Sequence, residues 1–418
     1  VVRDLVQRIA AATPRDLIRR ISIPRDLVQR IAAATPPERD RAVDALRALA
    51  VLGVVLGHWL VTALILDSGT VRTASPLRYM PQLAPASWLF QTLAIFFLVC
   101  GQTGARSHAT ARARGTTYRR WLVRRMARLS RPVTAVLVVW IVTAVAMLAS
   151  GADPRTVRTL VKLVYSPLWF LLVLAVLTAA TPLIARLHPL WPFAIVALVD
   201  LARYCSARYG LDGLDTLGSV NVAAGWLVPY SLGAAWARGR LCGRTTGWTL
   251  LLGGVVATAA LILWAGYPVA MVGVPGAAVS NLDPPTLAAV TFGLAQCGAA
   301  LLLLGPLRRA LRRPTVWAAV ALVNLSAMTI FLWHQTAMIA VTAIGMITGG
   351  PLPGLHTVPN GPGWVLARLA WLPAFALALL ICVAAFHIHE RGRPGKRGRP
   401  GTVHERPPAE PSRARQPA

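Results

Sequence analysis

Two histidines and an arginine stand inside sequence that is otherwise built for an apolar environment. Arg47 and His58 fall in DALRALAVLGVVLGH (44–58), and His334 falls in SAMTIFLWHQ (326–335). Imidazole takes and returns a proton near neutral pH, and guanidinium grips phosphate or carboxylate in a planar fork. Together they could carry a proton within an otherwise apolar setting. At ~100° per residue, the steps from Arg47 to His58 return the side chain to within about 20° of one helical face, and at ~1.5 Å per residue they part the two by roughly 16 Å. Arg47 is thus expected at the mouth of the run and His58 near mid-membrane. Asp44, one turn before Arg47, is placed to pair with it, in a contact that could be purely structural. One intramembrane histidine is as often a helix-packing hydrogen bonder as a catalyst. A second at comparable depth favours a polar pathway or an active site, because ionisable groups at that depth are costly.

The elements that must position these groups are membrane spans. The chain has 418 residues, 56% of them hydrophobic, and its mean hydropathy is +0.57, too apolar for a soluble protein of this length. A net charge of +28 would suit nucleic acid if it lay on one soluble face, but the arginines come in bursts between apolar stretches. That is a topology signal, and no nucleic-acid partner is expected. The fold class is all-α, a polytopic helical membrane protein with about ten transmembrane helices. They lie at approximately 46–66, 87–105, 132–150, 167–185, 190–204, 220–237, 248–266, 286–305, 324–347 and 364–387.

Charge orients them. The 106–131 segment, read as a loop, holds nine Arg, and 238–244 and 308–313 are also basic, whereas 267–285 and 348–363 hold no Lys or Arg. Basic loops collect on the cytoplasmic side, so both termini are expected in the cytoplasm. The apolar run near residue 46 then serves as first span and uncleaved insertion signal. Cys100, Cys205, Cys242, Cys297 and Cys382 are scattered without metal-ligand spacing, which argues against disulfides and against a metal site.

Three regions follow. Residues 1–38 form an N-terminal cytoplasmic extension with RDLVQRIAAATP at 3–14 and again at 25–36, either disordered low complexity or a surface-helical anchor. Residues 39–390 form the membrane domain. Residues 391–418 are a basic Pro/Gly-rich tail that cannot bury a core. Smaller roles go to Trp169, an interfacial anchor at the start of a span, and to Ser326 and Asn324, hydrogen bonders between helices. Asn281 and Asp283 lie in an outer loop that is either a structured turn or part of an acceptor site.

RDRAVDALRALAVLGVVLGHWL (39–60) closely resembles the first-span signature of the acyltransferase type 3 family of integral membrane acyltransferases, in which an arginine, ten residues and a histidine recur as Arg47 and His58 do here. FFLVCG (96–101), RRMARLSRP (124–132), SPLWFL (166–171) and SAMTIFLWHQ follow in the family's order, so the resemblance spans about 39 to 390. Cys100 stands where the family usually has serine, Gln102 where it has an aromatic, and Phe331 where it commonly has tyrosine.

The resemblance implies an O-acyltransferase that moves an acyl group, acetyl or another short chain, from acyl-CoA to a hydroxyl of a carbohydrate, glycolipid, cell-envelope glycan or secondary metabolite. On that reading His58 is the base, and Arg47, Arg124 and Arg128 recognise the donor. His334 joins the catalytic set, and Asp44, Ser326 and Trp169 orient it. The expected partners are acyl-CoA as donor co-substrate, a hydroxylated acceptor and membrane lipids, with no cofactor held, in a bacterial plasma membrane. The rival is a transporter or proton-coupled carrier that uses the intramembrane His and Arg. Such carriers show inverted repeats, and the two halves of this sequence show no self-similarity.

Overall fold

The computed structural model describes residues 24–386, apart from 68, 210–213, 242, 278 and 348–349. The first repeat copy (3–14), the tail (391–418) and Cys242 lie outside the described residues. The second repeat copy forms α1, Arg25–Ala33, with Val28 buried on its inner face. Trp317 donates its indole N–H to Thr35 Oγ1 at 2.8 Å just beyond this helix. The guanidinium groups of Arg39 and Arg41 lie over the same indole, at 5.7 and 5.1 Å from its centroid.

The helix that carries Arg47 and His58, α2, runs Arg41–Val61. It starts where Asp40 accepts the Ala42 N–H at 3.1 Å, a side-chain cap for an otherwise orphaned donor. It also stops earlier than the apolar run suggests. Thr62 is already extended, and Ala63–Asp67 (β1) pairs antiparallel with Thr70–Ala74 (β2), Ala63 opposite Ala74. The expectation of a span to residue 66 is therefore corrected: hydropathy counts the β-prone TALIL as membrane, whereas the chain turns it into a hairpin strand. The molecule is all-α but for this hairpin and one isolated bridge among the described residues.

The remaining helices are α3 Leu93–Ala113, α4 Tyr118–Ala149, α5 Pro154–Tyr165, α6 Trp169–Ala179, α7 Leu190–Tyr209, α8 Gly218–Ala237, α9 Arg244–Trp264, α10 Leu287–Ala310, α11 Pro314–Leu325, α12 Ala327–Met346 and α13 Pro362–Phe386, with short helical turns between some of them. Each sequence-expected span lies mainly on one of these. Among the described residues, 8 helices are long and apolar enough to cross a membrane. α7 and α8 fall outside that set because polar and small residues break their apolar runs, Asp200 and Arg203 in α7 and Asn221 and Ser231 in α8; α8 is largely buried, while α7 keeps Ile195, Leu198 and Leu201 exposed.

The basic 106–131 segment is not a loop. α3 and α4 run through it and leave only 114–117 as a turn, with Thr117 Oγ1 capping the Arg120 N–H. Arginine and alanine sustain a helix, so leaving lipid gives the chain no reason to end one. The amphipathic α5, capped by Asp153 at 2.6 Å, was hidden in the same way ahead of the fourth span. Its Thr156 accepts the Val71 N–H at 3.0 Å and so seats the hairpin.

α3 and α8 pack as close neighbours. A Cβ at Gly101 would collide with the Tyr230 backbone and one at Gly233 with the Leu98 backbone, so glycine is what permits this approach. Phe97 stacks on Trp226 across the seam at 5.2 Å. The main core gathers Val51, Val55 and Trp59 of α2 with Phe97, Phe170, Trp226 and Phe331. The outward faces of α4 and α9 remain apolar and exposed, as at Ile141, Val145, Val255 and Val256. That is the surface a lipid-facing helix needs.

Candidate active site

α2 and α12 bring the two histidines together. The rings of His58 and His334 have centroids 5.1 Å apart and planes inclined at 40°. His58 is partly accessible, and His334 has no accessible surface. The Phe331 carbonyl lies 2.5 Å from His334 Nδ1. A carbonyl only accepts, so Nδ1 carries the proton and Nε2 of the neutral ring keeps its lone pair. Nε2 is buried and has no hydrogen-bond partner among the described residues. An unsatisfied polar atom in such a place marks a site for chemistry or for a ligand.

His58 sits in the last turn of α2, not at the middle of its own helix as the sequence suggested. The end of α2 is buried within the bundle, level with the middle of α12, and Arg368 of α13 completes it. Its Nε donates to Trp59 O at 2.6 Å, and its Nη2 to Thr62 O at 2.6 Å. Its Nη1 reaches Gly354 O at 2.8 Å, and the guanidinium lies 4.7 Å from the Phe375 ring centroid. Helix ends leave carbonyls without partners, and at this depth protein must supply them. Arg368 escaped the sequence reading, although it is the one charged residue within WVLARLAWLPAF (364–375).

Aromatic rings wall the pair on one side. Phe331 lies edge-on to Phe170 at 4.6 Å, Phe170 meets Phe96 at 5.3 Å and Phe97 at 6.1 Å, and Trp226 continues the row beyond Phe97. Trp169 stands at the start of α6, 38% exposed, with its ring 6.0 Å from Trp226. Ser326 forms the joint between α11 and α12, two turns before His334. The interhelical bond expected near it belongs to Asn324, whose Nδ2 donates to Asp44 O at 2.8 Å.

Apart from the histidines, at the basic ends of α3 and α4, lies a cleft of about 340 Å³, lined by Ser107, Thr110, Arg114, Trp121 and the row Arg124, Arg125 and Arg128. Arg124 and Arg128 are exposed on its rim. Arg125 is turned inward from that rim, near Cys100 and Tyr230 and near the like charges of Arg47 and Arg128, a placement the sequence did not single out. Tyr230 is held by a 2.8 Å hydroxyl bond to Thr181.

Arg47 is less tied to Asp44 than the spacing implied. Arg39 takes that carboxylate through Nε and Nη2 at 2.6 and 3.2 Å, leaving Arg47 at 3.8 Å. The carboxylate in turn pushes the Arg39 guanidinium above its ordinary value through this bond. On the opposite side of the molecule, Asn281 is fully buried and ties its loop through Pro268 O, Ala270 O and Thr286 Oγ1. Asp200 likewise receives Tyr267 OH at 3.0 Å. Burial, reinforced by Asp200, pushes the Tyr267 phenol up. Among the described residues no group of three His, Cys, Asp or Glu side chains is placed to hold a metal ion.

The geometry is a histidine pair inside a helical bundle, with Arg47 on the same helix as His58 and a basic cleft at the ends of α3 and α4. A family model described as an acyltransferase domain matches residues 40–387. No curated protein and no solved structure matches the chain. The match covers the described bundle from the cap of α2 to the end of α13, and the chain belongs to the acyltransferase type 3 family of multi-pass membrane acyltransferases.

Proposed function

We propose that this protein is an O-acyltransferase that takes a short acyl group from acyl-CoA at its cytoplasmic face and passes it to a hydroxyl of a glycan, glycolipid or small metabolite. The observation that carries the reading is the meeting of His58 and His334 at 5.1 Å, in a bundle whose basic cleft is lined by Arg124, Arg125 and Arg128. Guanidinium groups suit the phosphates of CoA, and Arg47 stands between them and the histidines. His58, the more accessible imidazole, is the base: it takes the hydroxyl proton as the oxygen attacks the thioester carbonyl. Both termini face the cytoplasm, the side on which the basic segments collect, and the membrane is a bacterial plasma membrane.

The test is transfer of label from radiolabelled acetyl-CoA by purified protein in liposomes, with extracted envelope glycans and glycolipids as acceptors. Wild type is expected to release CoA in an acceptor-dependent way, and His58→Ala to release none at unchanged abundance. Full transfer by His58→Ala removes His58 as the base. Acceptor-dependent uptake of a solute without CoA release would instead favour a carrier.

A further inference from the structure

His58 lacks what a catalytic imidazole ordinarily has, a carboxylate on its second nitrogen. Among the described residues neither it nor His334 is hydrogen-bonded to a carboxylate, and Asp44, on the same helix, is occupied by Arg39. Other titratable groups on neighbouring helices are engaged elsewhere: Arg368 of α13 holds the end of α2, and Tyr165 of α5 reaches the Leu137 carbonyl. Cys100 of α3 lies near Arg47 of α2 and Arg125 of α4. The group that faces His58 is the His334 ring, locked by Phe331 O, with a buried and unpartnered Nε2.

We propose that His334 is the positioning residue for His58, its Nε2 lone pair accepting the N–H of the His58 ring in the place where a carboxylate usually stands. This rests on the reading of His58 as base. At a 5.1 Å centroid separation a rotation of the His58 ring about its soft terminal torsion brings the nitrogens into range. His334 stays put, because its Nδ1 is committed. The hydroxyl oxygen then bonds to the acyl carbon as the C–S bond breaks, and the hydroxyl proton passes to the free nitrogen of His58. His334 holds the other N–H and stabilises the imidazolium, as an orienting carboxylate would. The proton finally leaves on the CoA thiolate, which departs as a thiol.

The experiment measures acetyl transfer from acetyl-CoA by wild type, His58→Ala and His334→Ala in liposomes, with added imidazole or pyrrole. Pyrrole has the same ring and an N–H but no basic lone pair. His334→Ala is expected to lose on the order of 100-fold in kcat with KM for acetyl-CoA unchanged, and imidazole, not pyrrole, to restore turnover. Should His334→Ala fail to accumulate, His334→Gln, which keeps an acceptor, is expected to exceed His334→Leu by about 10-fold or more. Equal restoration by pyrrole, or equal activity of Gln and Leu, overturns the proposal, since the ring would then only fill space. Full activity of His58→Ala with loss in His334→Ala overturns the reading of His58 itself, and the two failures are told apart by that pattern.

Discussion

Trp59 donates its indole N–H to the backbone carbonyl of His334 at 2.9 Å. The residue beside one imidazole thus holds the main chain of the other, and α2 and α12 cannot slide without breaking that bond. Replacing Trp59 with Phe keeps most of the buried ring and removes the donor. A single buried hydrogen bond is worth about 1 kcal/mol. The Phe variant is expected to accumulate normally and to lose several-fold in kcat for acyl transfer, measured as CoA release.

Arg125 faces inward from the basic cleft while Arg124 and Arg128 stand on its rim. Arg125→Gln is expected to raise KM for acyl-CoA by roughly 10-fold or more, with the rim variants weaker, because a charge that is screened less by water contributes more. Initial rates against acyl-CoA concentration at low and high salt check the order. A larger effect from Arg124→Gln than from Arg125→Gln would place the donor elsewhere.

Arg368 serves three carbonyls with no carboxylate within ion-pair distance among the described residues. Arg368→Met leaves the Trp59, Thr62 and Gly354 oxygens without that donor, at a cost of about 2 kcal/mol or more. The expected outcome is a lower Tm in detergent and a loss of transfer together, since His58 lies one residue before Trp59. Thermal unfolding followed by intrinsic tryptophan fluorescence reads the first and CoA release the second.

Cys100 lies in the electrostatic field of Arg47 and Arg125. The thiol is free of any disulfide among the described residues, so Cys100→Ser is expected to keep transfer within about 3-fold of wild type. Treatment of both proteins with a small thiol reagent adds a control: inhibition of wild type that the Ser variant escapes places the thiol on the donor's route.

Much of this was readable from residue order. The Arg47 and His58 stripe needed only helical periodicity, and the burial of His334 followed from its apolar run. What periodicity could not give was the ending of α2, because TALIL satisfies a hydropathy window and a β-strand equally well. The inward turn of Arg125 was hidden among neighbours of the same type, as only packing distinguishes adjacent arginines on one helix. Arg39 was missed because the Asp44 partner sought was the helical neighbour at i+3, while the closer ion pair came from the segment ahead of the cap.

The early end of α2 also sets how far anything must travel. From Arg47 to Val61 is about 15 residues, roughly 22 Å of helix against a hydrocarbon core of ~30 Å. The whole of α2, Arg41–Val61, is roughly 31 Å long and matches that core only when its charged first turns are counted. The β-hairpin and the 350–361 segment are joined where Leu66 N–H meets His356 O at 3.2 Å, and Arg368 ties both to the end of α2 through Thr62 O and Gly354 O. A change that loosens Arg368 therefore disturbs the hairpin and the histidine end of α2 together.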